Sequence, residues 1–129
     1  MTEAVGSDEG ICALYIDAWV GVVKVISVLV DGGSLIDLIG AGVARDLGLS
    51  QYEGAPLNIV LANDLTIAVS TYVWVTVNVV GVGTRMKFYV LNVDQSYTML
   101  LSRRWLKRVK AREDYHEGTL DIMGGDGVR

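Results

Sequence analysis

The run Val28-Leu29-Val30-Asp31-Gly32-Gly33-Ser34 ends an apolar, β-branched stretch on a carboxylate, two glycines and a serine, and a second apolar stretch, Leu35-Ile36-Asp37-Leu38-Ile39, leads away from it. Glycines at the end of a strand cost backbone entropy, and an acid beside a core must be hydrogen-bonded or share a proton. Acid–base chemistry is the simplest use for such a segment. Gly33 lets the backbone approach the Asp31 carboxylate and donate its N–H, and Ser34 adds a hydroxyl donor. On structural grounds alone, the same residues also describe a turn acid that accepts N–H bonds from Gly33 and Ser34.

Other chemistries find less to work with. His116 is the only histidine and has no cysteine or histidine partner at ligand spacing, so it reads as a turn residue rather than a metal ligand, and no Ser-His-Asp set is indicated. Cys12, the only cysteine, reads as a small buried hydrophobe that cannot form an internal disulfide, which fits a reducing compartment or simple indifference to redox. Asp37 reads as a structural hydrogen-bonding acid behind the Asp31 loop. The basic stretch from Arg103 to Arg112 could touch RNA, but its basic residues alternate with core positions and Glu113 and Asp114 follow, the pattern of a solvated helix face.

The elements that would position Asp31 are mostly strands. Leu14, Ile16, Ala18 and Val20 alternate with Ala13, Tyr15, Asp17 and Trp19; Gly21 offers a turn, and Val22 to Val30 pairs back as a hairpin that carries Asp31 into a loop. A short helix over Val43 to Leu47 follows the poor opening Gly40-Ala41-Gly42 and stops at Gly48. Gln51 to Pro56 reads as a loop, and Leu57 to Ala62 and Leu65 to Val80 as strands joined tightly at Asn63-Asp64. In the longer strand Ile67, Val69, Val73, Val75, Val77 and Val79 share one face, and Thr66, Ser70, Tyr72, Trp74, Thr76 and Asn78 the other. Gly81-Val82-Gly83 turns the chain into a strand over Arg85 to Val93. Tyr97 to Leu101 forms a short apolar strand, Arg103 to Lys110 a helix with Trp105, Leu106 and Val109 inward, and Arg112 to Tyr115 with Thr119 to Ile122 a last hairpin. Two segments repeat a theme of apolar strand, small-residue loop and short helix: Leu29 to Leu47, and Met99 to Val109.

The totals agree with one domain. The chain has 129 residues, of which 51% are hydrophobic, enough for a core without metal or disulfide staples. Residues 1–10 are polar and acidic rather than basic and then apolar, so they read as a flexible leader and not a secretory signal. Residues 11–123 form the domain and residues 124–129, rich in glycine, a flexible tail. No apolar run approaches the ~20 residues of a membrane-spanning helix, and a net charge of -4 argues against a dedicated nucleic-acid binder. The expected location is inside the cell, in the cytoplasm.

The order of parts resembles the retropepsin-like aspartic proteases of retroviruses and LTR retrotransposons over roughly Ile11 to Met123. That family's motif is Asp, then Thr or Ser, then Gly, then Ser or Ala; Asp31, Gly33 and Ser34 match it, and Gly32 stands in place of the hydroxyl residue. Its second hallmark, an apolar pair, a Gly and a short helix, is similar to Met99-Leu100-Leu101-Ser102-Arg103-Arg104-Trp105-Leu106, with Ser102 where the family prefers Gly.

The resemblance implies a mostly β, closed barrel-like acid-protease fold with one or two short helices. It implies an aspartic endopeptidase that processes a retroelement polyprotein and needs no metal or cofactor. Amide hydrolysis by this route needs one acid and one base side by side, and two such close carboxyls hold one proton between them. The chain has one such motif, so a homodimer would bring the second Asp31 to a twofold axis. Gly32, Gly33 and Ser34 form the active-site loop. Leu61-Ala62-Asn63-Asp64-Leu65 would be the tip of a substrate-covering flap, or an ordinary surface hairpin. In the family the hydroxyl at the Gly32 position bonds across the axis; its loss costs on the order of 1 kcal/mol per bond. Two other readings stand beside the peptidase: a catalytically degenerate domain of the same fold serving as a dimerisation or binding module, and a small ligand-binding β-barrel.

Overall fold

Alternation of apolar and polar side chains drives most of the chain into strands. The computed structural model describes residues 13–61, 64–114, 117 and 119–123. Among these the order is β1 (Ala13–Val20), β2 (Val23–Asp31), β3 (Leu38–Gly40), α1 (Ala41–Asp46), β4 (Tyr52–Val60), β5 (Thr66–Val79), β6 (Val82–Leu91), β7 (Met99–Leu101), α2 (Arg103–Arg108), β8 (Arg112–Asp114) and β9 (Thr119–Asp121). The expected leader, the tail, Cys12 and His116 lie outside the described residues.

β1 and β2 form the predicted hairpin around Gly21, whose φ of 62° suits a residue without Cβ. Leu14, Ala18, Val25, Val28 and Val30 turn inward from it. Val25 and Val28 can both face the core because the ladder shifts register at this point and Ser27 takes φ 59°. Thr98 holds that kink: its N–H bonds the Ser27 carbonyl at 3.0 Å and its hydroxyl the Ile26 carbonyl at 2.6 Å.

One seven-stranded sheet, in the order β1-β2-β7-β3-β6-β5-β4, contains all but β8 and β9, which pair with each other. β2 and β7 run parallel, as do β3 and β6, while β3 and β7 are antiparallel. β1 also reaches β5 through the single pair Trp19↔Asn78, so the sheet curls until β1 meets β5, while β4 pairs with β5 alone among the described residues. One apolar cluster, including Val73, Val75, Val77, Phe88, Met99 and Trp105, fills one side of the sheet. A second one, of Leu38, Ile59, Leu61, Val69, Leu91 and Leu100, lies around the cleft described below.

Several boundaries depart from expectation for local reasons. The segment from Gln51 to Pro56 is not a loop: β4 starts at Tyr52, held by the Tyr52–Tyr72 ring contact and by Ser70 and Thr71 hydroxyls that donate to Glu53 at 2.9 and 2.6 Å. Pro56 is tolerated there because β4 is an edge strand and its register with β5 is irregular between Glu53 and Leu57. β6 begins at Val82, not Arg85, since Val80 (φ 51°) and Gly81 (φ 83°) alone make the turn and Asn78 accepts the Gly81 N–H; it ends at Leu91. Each helix has six residues; α1 starts two residues early, at Ala41, and α2 stops at Arg108. Gly40 gives α1 no side-chain cap, as its sequence suggests, whereas Gly48 (φ 68°) closes it.

Candidate active site

Asp31 is the last residue of β2 rather than a loop residue, and it is half-buried. Its place follows from the parallel pairing of β2 with β7, which aligns Leu29 with Leu100 and Val30 with Leu101. Val30 points to the core, so Leu29 and Asp31 point to the other side.

The loop after it is tied from within and from behind. Gly33 donates its N–H to Asp31 Oδ1 at 2.9 Å, and the Ser34 N–H closes a turn on the Asp31 carbonyl at 3.1 Å. The Ser34 hydroxyl does not reach the carboxylate as a donor; it donates to the Ile36 carbonyl at 3.0 Å. Its expected role of orienting Asp31 is thus a bond within its own turn. Gly32 exposes its carbonyl to Arg103 Nε at 3.0 Å, and the Arg103 N–H donates to the Ser34 carbonyl at 2.9 Å. α2 therefore holds the loop by two bonds from its first residue.

Asp37 is the structural acid that its position suggests. It is buried, and its Oδ1 accepts the Ser102 N–H at 2.7 Å. Burial pushes its carboxyl above the ordinary value of 3.8, against the pull of the Ser102 bonds and of the Arg104 charge. Ser102 is also fully buried, and its hydroxyl accepts the Arg104 N–H at 3.1 Å, which caps α2. The serine thus has a use of its own where the family prefers glycine.

Asp31 opens on a cleft of about 510 Å³ whose lining includes Leu29, Leu38 and Leu100 from the sheet and Asn58 to Leu61 from the end of β4. The β4–β5 connection that was expected as a flap thus borders the cleft. Leu61 lines it, and the Leu61 N–H bonds the Leu65 carbonyl at 2.8 Å, with Asp64 at φ 66°. Ala62 and Asn63 lie outside the described residues. Tyr97 and Gln95 also line the cleft, and neither stands out in the sequence. Their signal was the repeated strand-to-helix theme: β7 runs beside β2, so the residues leading into β7 come close to the end of β2. Burial, with a smaller push from the Asp31 charge, raises the Tyr97 phenol to about 12, so it stays a hydrogen-bond donor at any ordinary pH.

The cleft offers a carboxylate held in one orientation, a phenol donor and apolar walls. This set suits binding an extended peptide and moving a proton to or from a water at Asp31, with a second acid needed for the opposite role.

No protein-family model matches the sequence, and no curated protein matches it either. Among solved structures, the chain is similar to the crystal structure of the retroviral protease-like domain of Ddi1 from Leishmania major. The TM-score is 0.59 at 17% identity, over 95% of this chain and 86% of that one. The fold is therefore retropepsin-like: mostly β, with two short helices among the described residues.

Proposed function

We propose that the chain is an aspartic endopeptidase of retropepsin type that acts as a homodimer, each subunit contributing one Asp31. The observation that carries this reading is the Asp31 carboxylate, fixed by Gly33 at the mouth of an apolar cleft on a retropepsin-like fold.

In the dimer the two Asp31 carboxyls share one proton. The ionised member takes a proton from water as its oxygen bonds to the scissile carbonyl carbon. The protonated member then supplies a proton to the leaving nitrogen as the C–N bond breaks, and the pair again holds one proton. The two acids titrate as a unit. Gly33 and Arg103 keep the loop in place, the β4–β5 connection covers the substrate, and no metal or cofactor takes part. The substrate is a polypeptide, and a retroelement polyprotein is the natural source of one.

The test is cleavage of a mixed peptide library at mildly acidic pH, with and without pepstatin, by wild type and Asp31→Asn across a range of protein concentrations. Pepstatin-sensitive cleavage that rises faster than linearly with protein and disappears in Asp31→Asn is the expected result. A silent wild type that still sediments as a dimer would replace this reading with the degenerate assembly module.

A further inference from the structure

The face of the sheet that carries Asp31 continues beyond the cleft. Paired residues of neighbouring strands share a side of the sheet. The register therefore draws one row of side chains from Leu29 across Leu100, Leu38 and Tyr89 to Tyr72. The first three line the Asp31 cleft, and Tyr89 packs against the same apolar cluster. From Tyr89 the row turns along β6, where Lys87 and Arg85 occupy the next two positions on that face, about 6.8 Å apart.

Both cations are held over aromatic rings. Lys87 Nζ lies 4.2 Å from the Tyr72 ring centre and 5.2 Å from that of Tyr89, and the Arg85 guanidinium lies 5.2 Å from that of Trp74. The rings fix the position of the cations without neutralising them. Among the described residues no carboxylate pairs with either; Glu53, on β4, is engaged by the Ser70 and Thr71 hydroxyls. A chain of net charge -4 thus presents two oriented, uncompensated cations on the face that leads out of its cleft.

We infer that the Tyr89–Lys87–Arg85 row extends the substrate cleft and takes an acidic stretch of the polypeptide. This rests on reading the cleft as a peptide-binding site. From β2 to β6 is three strand steps, roughly 14 Å, or about four residues of extended peptide, so the acidic stretch begins about four residues from the scissile bond. Carboxylates at alternate positions of an extended peptide repeat at the same interval as Lys87 and Arg85.

The experiment uses the full chain carrying Asp31→Asn, with hexaglutamate, hexaglutamine and a six-residue oligothymidylate as probes and backbone amide NMR shifts as readout. Hexaglutamate is expected to move the Arg85, Lys87 and Tyr89 amides saturably. Its affinity should fall about 5-fold in Lys87→Gln, be kept in Lys87→Arg and weaken with salt, while hexaglutamine moves nothing. An unmoved β6, equal binding by Lys87→Gln, or oligothymidylate binding as tightly as hexaglutamate would overturn the proposal. Because the readout needs no catalysis, a failed peptidase assay leaves it standing, and its own failure leaves the peptidase reading standing.

Discussion

Asp31 and Asp37 lie six residues apart on one segment, and the fold gives them opposite tasks. Asp31 ends a strand at the mouth of a cleft, half-exposed, with the Gly33 N–H fixing its carboxylate. Asp37 is buried and spends its carboxylate on the backbone of Ser102, 65 residues away. The first can exchange protons with a substrate. The second joins the segment around Asp31 to the start of α2, and α2 in turn holds the Asp31 loop through Arg103. A single chemical group thus serves as reagent or as fastener according to what surrounds it.

Changing each acid separately should break the comparison most sharply. Asp31→Asn is expected to reduce cleavage by about 10³-fold or more while leaving the urea unfolding midpoint in place, since no other element depends on its charge. Asp37→Leu should show the reverse emphasis, with about 1–3 kcal/mol of stability lost in the same urea titration because the Ser102 N–H is left buried without an acceptor.

Gly32→Ser tests the loop between them. A Cβ added at Gly32 would meet Leu106 Cδ1 at an ordinary 3.5 Å, so the backbone there has room for one. A hydroxyl bonding across the axis in each subunit should tighten the dimer about 10- to 30-fold in sedimentation equilibrium. An unchanged dissociation constant would mean that the two loops do not meet at the axis.

A finer distinction comes from pH. Because burial raises Asp37 above 3.8, the folded chain binds more protons than the unfolded one between 3.8 and the folded-state value, and stability falls as pH rises through that window. Asp37→Asn keeps an acceptor for Ser102 but has no such titration. Its stability relative to wild type should therefore increase as pH rises from below 3.8, as followed by thermal melts. Smallest of all, Ser102→Gly should cost about 1 kcal/mol in the same melts, because glycine is itself an acceptable N-cap and the loss is that of the hydroxyl's bond to the Asp37 carboxyl.

Much of the frame around these acids is legible in the sequence. β1, β5 and β6 each show one face to a core and one to water, so period-two alternation reveals them, and the Asp31 run is marked by its glycines. The first half of β4 is not legible, because residues 51–56 are all exposed and their strand character is imposed by Tyr72, Ser70 and Thr71 of β5. The Asp37–Ser102 bond and the Arg103 clamp join distant segments through backbone groups, which leave no trace in residue type. Ser102 looks like a departure when its motif is read alone; only its hydroxyl at the start of α2 shows what it does.

The kink at Ser27 has a consequence for which changes the active segment can survive. Strict alternation from the buried Val25 would turn residues 27, 29 and 31 inward; the extra residue at the kink reverses this, so Val28 and Val30 face the core and Asp31 the cleft. The parity of the chain between Val28 and Asp31 therefore decides whether the acid meets substrate or hydrocarbon. Substitutions at Ile26, which is exposed, leave that parity alone, and deleting one residue at the kink leaves a regular strand with the same faces, whereas deleting a residue between Val28 and Asp31 would turn the carboxylate toward the core. In this stretch, length is under tighter constraint than composition.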